Sequence, residues 1–312
     1  MTECERLMKA GFITEDFLQE EIRDEYKVSG EMKKVWAIEL DLLREFIEIC
    51  ERHQLRWWMG DGSLLGVIRH GGFIPWDDDM DVWMPREDYD RLLKVDPAEI
   101  KAPYFLQTTE NDKDYYSAFA RLRNSNTTGI LVSEGNRCNN GIYIDIYPID
   151  GLNENIGLQK LRSFKVHIRN VCAHAYVFNI NPSIITRCIN KILHIRAIRF
   201  DPVKTYRKVN RECSRIPWNK TNRVGHIAFT ERPYHKLYYR KEDFQQDLTR
   251  RFENMEVKIP AGYDGILTTL YGDYMSFPPV EKRGLWHDFT FDPDHSYLNR
   301  NERPGEYGKK DD

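Results

Sequence analysis

The chain has 312 residues, of which 41% are hydrophobic and 30% charged, with a formal net charge of -3. That length admits one large domain or two small ones around a sizeable core, so no disulfide framework is needed for stability. No uninterrupted apolar stretch reaches about 18 residues, which argues against a membrane-spanning helix, and the small net charge gives no reason to expect nucleic acid as a partner.

The opening MTECERLMKAGF carries acids and lacks a long apolar stretch, which predicts neither a secretory signal nor a transit peptide. The cysteines Cys4, Cys50, Cys138, Cys172, Cys188 and Cys213 are scattered without a C-x-x-C pair, as expected for reduced thiols buried in a cytoplasmic protein. Acids crowd the first fifty residues and bases crowd Lys160 to Arg215. Solvated helix faces account for the latter most simply, and peripheral contact with an anionic glycan or with the inner membrane face is the second reading.

Residues 1–30 predict an accessory segment with a short helix. From Met32 the apolar positions Val35, Ile38, Leu42, Phe46 and Ile49 advance in steps of three and four, with Leu43, Ile47 and Cys50 widening the stripe, so an amphipathic helix should pack on a sheet. Leu55 to Met59 reads as a strand. Gly60-Asp61-Gly62-Ser63 then turns into a helix over Leu64 to Arg69, capped by Ser63 or Asp61 and ended by His70-Gly71-Gly72. Met80 to Met84 reads as a strand and Pro85 to Leu93 as a helix. Tyr104 to Thr108, Ala118 to Arg123 and Gly141 to Tyr147 read as strands, and Pro148 to Gly151 as a turn.

Leu158 to Arg215 turns helical and basic, broken at Asn181-Pro182 and Asp201-Pro202, which predicts three appended helices. Val224 to Phe229 reads as a strand, Tyr263 to Tyr271 as a helix, and Gly272-Asp273 with Pro278-Pro279 as a turn. The expected organisation is a catalytic core over 31–157, a basic helical insertion over 158–222, a return to the core over 223–295 and a polar tail over 296–312.

Asp79 and Asp81 flank one apolar residue at the predicted strand, so alternation points both carboxylates to one side. Two such groups suit Mg²⁺ or Mn²⁺, and Mg²⁺ commonly keeps waters and substrate phosphates as its other ligands. Asp145 stands in the apolar run Ile142-Tyr143-Ile144-Asp145-Ile146. An acid there is costly unless paired or metal-bound, and convergence with Asp79 and Asp81 would account for it. Asp150 is a weaker candidate for the same site, since Pro148 and Gly151 around it suggest an ordinary turn. A plain acidic loop fits poorly among Trp76, Met80, Val82 and Trp83. A calcium loop fails because its sixth position is Val82, its twelfth is Asp88, and Pro85 falls inside it.

Gly62-Ser63 opens a helix about fifteen residues before those acids, and helix-opening N–H groups are suited to phosphate. A Walker A spacing, paired zinc ligands and a nucleophile-elbow serine are all missing from the sequence. Arg69, Arg121 and Arg123 are candidate phosphate clamps, each also explicable as an ion-pair partner.

The stretches Gly62 to His70, Gly72 to Asp81 and Met84 to Tyr89 together resemble the LicD family, to which fukutin-type enzymes are related. Gly141 to Asp150 resembles its second acidic motif. Tyr271 to Pro279, with Lys282, Arg283 and His287, resembles its C-terminal signature. The resemblance implies an α/β (α+β) fold: a nucleotidyltransferase-like core with a small mixed sheet flanked by helices, carrying the appended helical segment. It implies Asp79, Asp81 and Asp145 as catalytic metal ligands, and Gly62-Ser63 on phosphate. It further implies transfer of a phospho-alcohol, typically phosphocholine from CDP-choline, to a glycan or glycolipid hydroxyl with release of CMP, Asp145 helping to deprotonate the acceptor. His287 is a candidate contact for the diphosphate or the acceptor, with a structural role as its alternative. Trp57, Trp58, Trp76, Trp83, Tyr143 and Tyr147 offer a cage for a quaternary ammonium, though most fit core packing. The rival readings are a nucleotidyltransferase that releases pyrophosphate from a nucleoside triphosphate, and a nonenzymatic nucleotide-binding protein.

Overall fold

The computed structural model describes residues 1–131, 138–177, 188, 191–192, 200–228, 238–284 and 289–299. His287 and the middle of the basic segment lie outside these residues.

The N-terminal segment forms a helix α1 (Glu3–Lys9) and a hairpin of β1 (Glu21–Arg23) and β2 (Tyr26–Val28). Helix α2 (Gly30–Arg52) starts at Ser29, whose hydroxyl accepts from the Met32 amide at 3.2 Å. Its apolar stripe is buried as its period requires, and the helix lies over the central sheet, against β6 (Ala120–Asn124) and β8 (Ile142–Gly151). Truncating a member of that stripe such as Leu42 to alanine would cost about 2–5 kcal/mol.

The central strand is β8, ten residues long. On one flank it pairs in parallel with β4 (Asp81–Pro85), which in turn pairs with β3 (Trp58–Met59). On the other it pairs antiparallel first with β6, itself paired with β5 (Tyr104–Gln107), and then with β9 (Arg223–Gly225), which continues to β10 (Tyr239–Arg240). The sheet is therefore mixed. Helix α3 (Asp61–Arg69) connects β3 to the acidic loop, and α4 (Arg86–Leu92) follows β4. Strand β7 (Thr128–Leu131) pairs with β13 (Phe289–Asp292), and β11 (Asp247–Phe252) with β12 (Met255–Pro260) in a hairpin beside α3. The described parts of the basic segment are α5 (Ile156–Val177) and α6 (Pro202–Cys213), and helix α7 (Tyr263–Tyr271) packs on α3. This is the expected mixed α/β fold.

Two local expectations change. The turn at Pro148 is instead strand: β8 runs on to Gly151. The Asp145 amide bonds Met80 on the β4 flank at 2.8 Å, so alternation turns position 148 to the other flank. There β6 has ended at the Ala120–Ile146 pair and β9 begins only at Asp150, so the N–H that proline lacks has no ladder bond to make. Helix α3 also starts three residues early, at Asp61, with Gly60 as its N-cap and no side-chain cap. Asp61 enters with φ of 41°, a left-handed value that aspartate tolerates better than bulky residues do. Its carboxylate accepts from the Trp83 indole at 3.0 Å, and a Cβ at Gly60 would lie 2.3 Å from that ring, so glycine is required to seat the turn on Trp83.

Candidate active site

Residues in register across a sheet point to one face, and three strands bring Asp81, Asp145 and Arg121 into one row. Arg121 donates from Nε to Asp145 at 2.6 Å, and the Tyr147 hydroxyl donates to the other carboxylate oxygen at 3.1 Å. The guanidinium lies 4.0 Å from the Tyr143 ring, with Tyr115 and Phe119 each at 5.6 Å. A cation is thus already boxed by aromatic faces beside Asp145.

Asp77, Asp78 and Asp79 precede the strand, and one oxygen from each lies within 4.8 Å of the others, close enough to share an ion. Asp81 is buried, and its pKa is pushed well above the ordinary carboxylate value, first by burial and then by Asp79, Asp61, Asp145 and Asp77. The α3 N-terminus faces the same acids. A Cβ on Gly62 would lie 2.7 Å from the Asp77 carboxylate, so glycine here makes room for that acid at the positive end of the helix. Ser63 is buried, and its hydroxyl accepts from the Asp81 amide at 2.9 Å. Gly62 and Ser63 therefore sit in the first helical turn and tie it to the acid-bearing strand.

Glu39, on the buried side of α2, is 1% exposed and its Oε2 has no hydrogen-bond partner. Burial, followed by the charges of Asp79, Asp78, Asp77 and Asp145, drives its pKa well above the ordinary range. Sequence reasoning passed over it, although an acid one turn from Val35 and from Leu43 on a buried stripe is itself a signal. A buried carboxylate oxygen without a hydrogen bond, beside a cluster of acids, is a setting that a divalent cation relieves, and all-oxygen donors suit Mg²⁺ or Mn²⁺. The donor set fits such an ion.

The other predicted residues are placed as follows. Arg69 stacks near Phe277 and Trp76 at 5.2 and 5.9 Å and donates to the backbone carbonyls of Tyr274 and Ser276, tying α3 to the chain after α7. It also lines a cavity of about 390 Å³ with Arg23, Asp24, His70, Arg251 and Glu253. Arg123 is buried, donating to Gln107 at 2.5 Å and to the Gly141 carbonyl at 2.6 Å, inside the fold beside Tyr143. The six proposed cage aromatics are all buried, as the core reading expects. Asp150 is a correction: it is a buried strand residue bound by Arg86 through two hydrogen bonds of 2.7 and 3.1 Å.

Residues 54–181 match the family model described as LicD/FKTN/FKRP, nucleotidyltransferase domain. The chain is 28% identical over 253 residues to the lipopolysaccharide cholinephosphotransferase LicD of Haemophilus influenzae, covering 80% of this chain and 92% of that protein. It is 29% identical over 105 residues to the ribitol 5-phosphate transferase FKRP of Mus musculus, covering 34% of this chain and 19% of that one. In the Homo sapiens FKRP the identity is 39% over 56 residues, 18% of this chain and 11% of that protein. Over residues 54–181, which carry Asp77 to Asp79 and, on one sheet, Asp81 and Asp145, the chain is similar to the nucleotidyltransferase domain of the LicD family.

Proposed function

We propose that this enzyme transfers a phospho-alcohol, phosphocholine from CDP-choline, to a hydroxyl of a cell-surface glycan or glycolipid and releases CMP. The single observation that carries the chemistry is the row Asp81–Asp145–Arg121 set beside Asp77, Asp78, Asp79 and Glu39, whose Oε2 has no hydrogen-bond partner. The choice of phosphocholine rests on the cholinephosphotransferase, whose likeness covers nearly its whole length.

Asp79, Asp81 and Asp145 would hold Mg²⁺ or Mn²⁺, with Asp77 and Asp78 alongside and Glu39 behind them. Such an ion, when bound, would supply positive charge against the diphosphate and the leaving CMP. The first turn of α3, at Gly62 and Ser63, binds phosphate oxygens through its N–H groups and the Ser63 hydroxyl. Arg121 exchanges Asp145 for the reacting phosphate, where a planar guanidinium can make two hydrogen bonds. Arg69 approaches the same charge from the far end of α3. The acceptor oxygen attacks phosphorus, its proton passes to Asp145, and the bond to the CMP oxygen breaks. We assign the reaction to the cytoplasmic compartment.

Incubation with CDP-choline and, separately, with CTP tests this reading. CMP released from CDP-choline in a glycan-dependent manner is the expected result. Pyrophosphate from CTP, with CDP-choline untouched, would sink it in favour of ordinary nucleotidyl transfer. Neither product in the presence of a lipopolysaccharide acceptor panel would support the nonenzymatic reading.

A further inference from the structure

Helix α5 follows β8, the strand of Asp145, after a short link, and is apolar on two sides. Its inner side is buried: Val166 and Ala173 pack with Tyr206, Val209 and Cys213 of α6 in a satellite core. Buried Arg162 reinforces this by donating to the carbonyls of Gly151, Glu212 and Cys213. About half a turn round, Leu161, Phe164, Ile168 and Val171 lie in steps of three and four and are all exposed, Leu161 by 52% and Phe164 by 59%. Single exposed apolar residues need no explanation, but an aligned row of four marks a surface that something covers.

The charge around this row identifies the occupant. From Lys160 to Arg215 the sequence holds thirteen lysines and arginines and two acids, Asp201 and Glu212. Lys160, Lys165 and His167 are exposed beside the apolar row. On α6, Lys204, Arg207, Lys208 and Arg211 share the exposed face at helical spacing, opposite buried Tyr206, Val209 and Cys213. Glu110 and Asp201 neutralise Arg207 and Lys204, whereas Lys165, Lys208 and Arg211 make no ion pair among the described residues. Apolar side chains bordered by basic ones whose stems reach upward suit the boundary between lipid tails and anionic headgroups. A second copy of the chain would bring the same basic residues against themselves, and a neutral partner would leave them uncompensated.

We propose that α5 lies in the surface of an anionic lipid bilayer, with Leu161, Phe164, Ile168 and Val171 among the acyl chains and the flanking Lys160, Lys165 and His167 at the headgroups. No helix among the described residues is long and apolar enough to cross a membrane, so the contact is peripheral. This placement extends the transfer reading by bringing the site to a membrane-borne glycolipid acceptor, yet it is measured by binding alone and stands or falls separately.

The test is sedimentation of the full chain with vesicles of phosphatidylcholine containing phosphatidylglycerol, and with pure phosphatidylcholine. Binding to the mixed vesicles that weakens with salt is expected. The L161E/F164E variant should bind at least about tenfold more weakly at unchanged thermal midpoint, and K165E, beside the row, should weaken binding about fivefold. CMP release from CDP-choline with a soluble acceptor should be unchanged in both. Should the mixed vesicles fail to bind the wild-type chain at low salt, or bind it no better than pure phosphatidylcholine, the proposal is overturned. Concentration-dependent dimerisation abolished by L161E/F164E, without vesicle binding, would assign the row to a second copy instead.

Discussion

Two aspartates on β8, five positions apart, each hold a buried arginine, and they do different things. Asp145 faces one side of the sheet with Arg121, and Asp150 the other with Arg86. The Asp150 pair is nearly self-contained: two hydrogen bonds join it, and the one further acid reaching Arg86 is Asp90 at 3.6 Å among the described residues. At Asp145, among the described residues, the Arg121 guanidinium stands with Asp81, Asp79, Asp77 and Glu39 gathered around it. A buried Asp–Arg pair is therefore no mark of a site. The mark is several buried acids gathered round the pair, since like charges crowded together are costly to bury and a cation among them lowers that cost.

The largest expected effect follows from removing two of those acids. Replacing Asp79 and Asp81 together with asparagine should lower CMP release at least about a thousandfold, a loss of about 4 kcal/mol of transition-state stabilisation. The metal-free protein should melt no lower than wild type, because like charges have been taken out of a buried cluster. A double variant that turns over normally would remove these residues from the site.

The arginines sharpen the comparison directly. Arg86→Met and Arg121→Met each strand a buried aspartate, and each should cost about 3–5 kcal/mol in denaturant unfolding without metal. Millimolar Mn²⁺ should restore much of the loss in Arg121→Met and none in Arg86→Met, because only the first leaves a carboxylate among other ligands. Equal rescue of both, or of neither, would erase the distinction between the two faces.

Glu39 gives the next effect and fixes its pH dependence. Folded-state pKa values raised for Glu39 and Asp81 mean that the native chain binds more protons than the unfolded one above the ordinary carboxylate range. Metal-free stability must then fall as pH rises from that range towards the raised values. Glu39→Gln removes one of these protons from the balance. It should flatten the decline and raise stability near pH 7 by about 1–3 kcal/mol, while weakening the stabilisation that Mn²⁺ confers. Thermal midpoints across about pH 5 to 8, with and without Mn²⁺, read both effects. A steeper decline in the variant would remove Glu39 from the cluster.

Much of this was legible in the chain. The period of α2, the α7 boundaries and the burial of Asp145 among isoleucines followed from alternation and cost. What escaped was set by contacts distant in sequence. Pro148 reads as a turn until two neighbouring strands leave a gap at its nitrogen, and the start of α3 depends on an aspartate with positive φ held by Trp83. The Arg121–Asp145 pair needed the register of β6 on β8, which no local pattern encodes. Asp77 and Asp78 lie with Asp79 in ion-sharing reach, and the close approach of Asp77 to Gly62 joins residues fifteen positions apart.

Ser63 carries the smallest effect and separates two roles for the first turn of α3. Its oxygen accepts from the Asp81 amide at 2.9 Å, which leaves its proton to donate elsewhere. Ser63→Ala leaves that buried amide unpaired and should cost about 1 kcal/mol of stability. If the hydroxyl also holds a donor phosphate, kcat/KM for CDP-choline should fall about tenfold, a further 1.4 kcal/mol expressed only with substrate. Ser63→Thr, which keeps the hydroxyl, should recover most of both. A variant whose melting point drops while kcat/KM stays at the wild-type value would show that Ser63 only positions the strand, and phosphate binding would then fall to the backbone N–H groups of Gly62 and its neighbours.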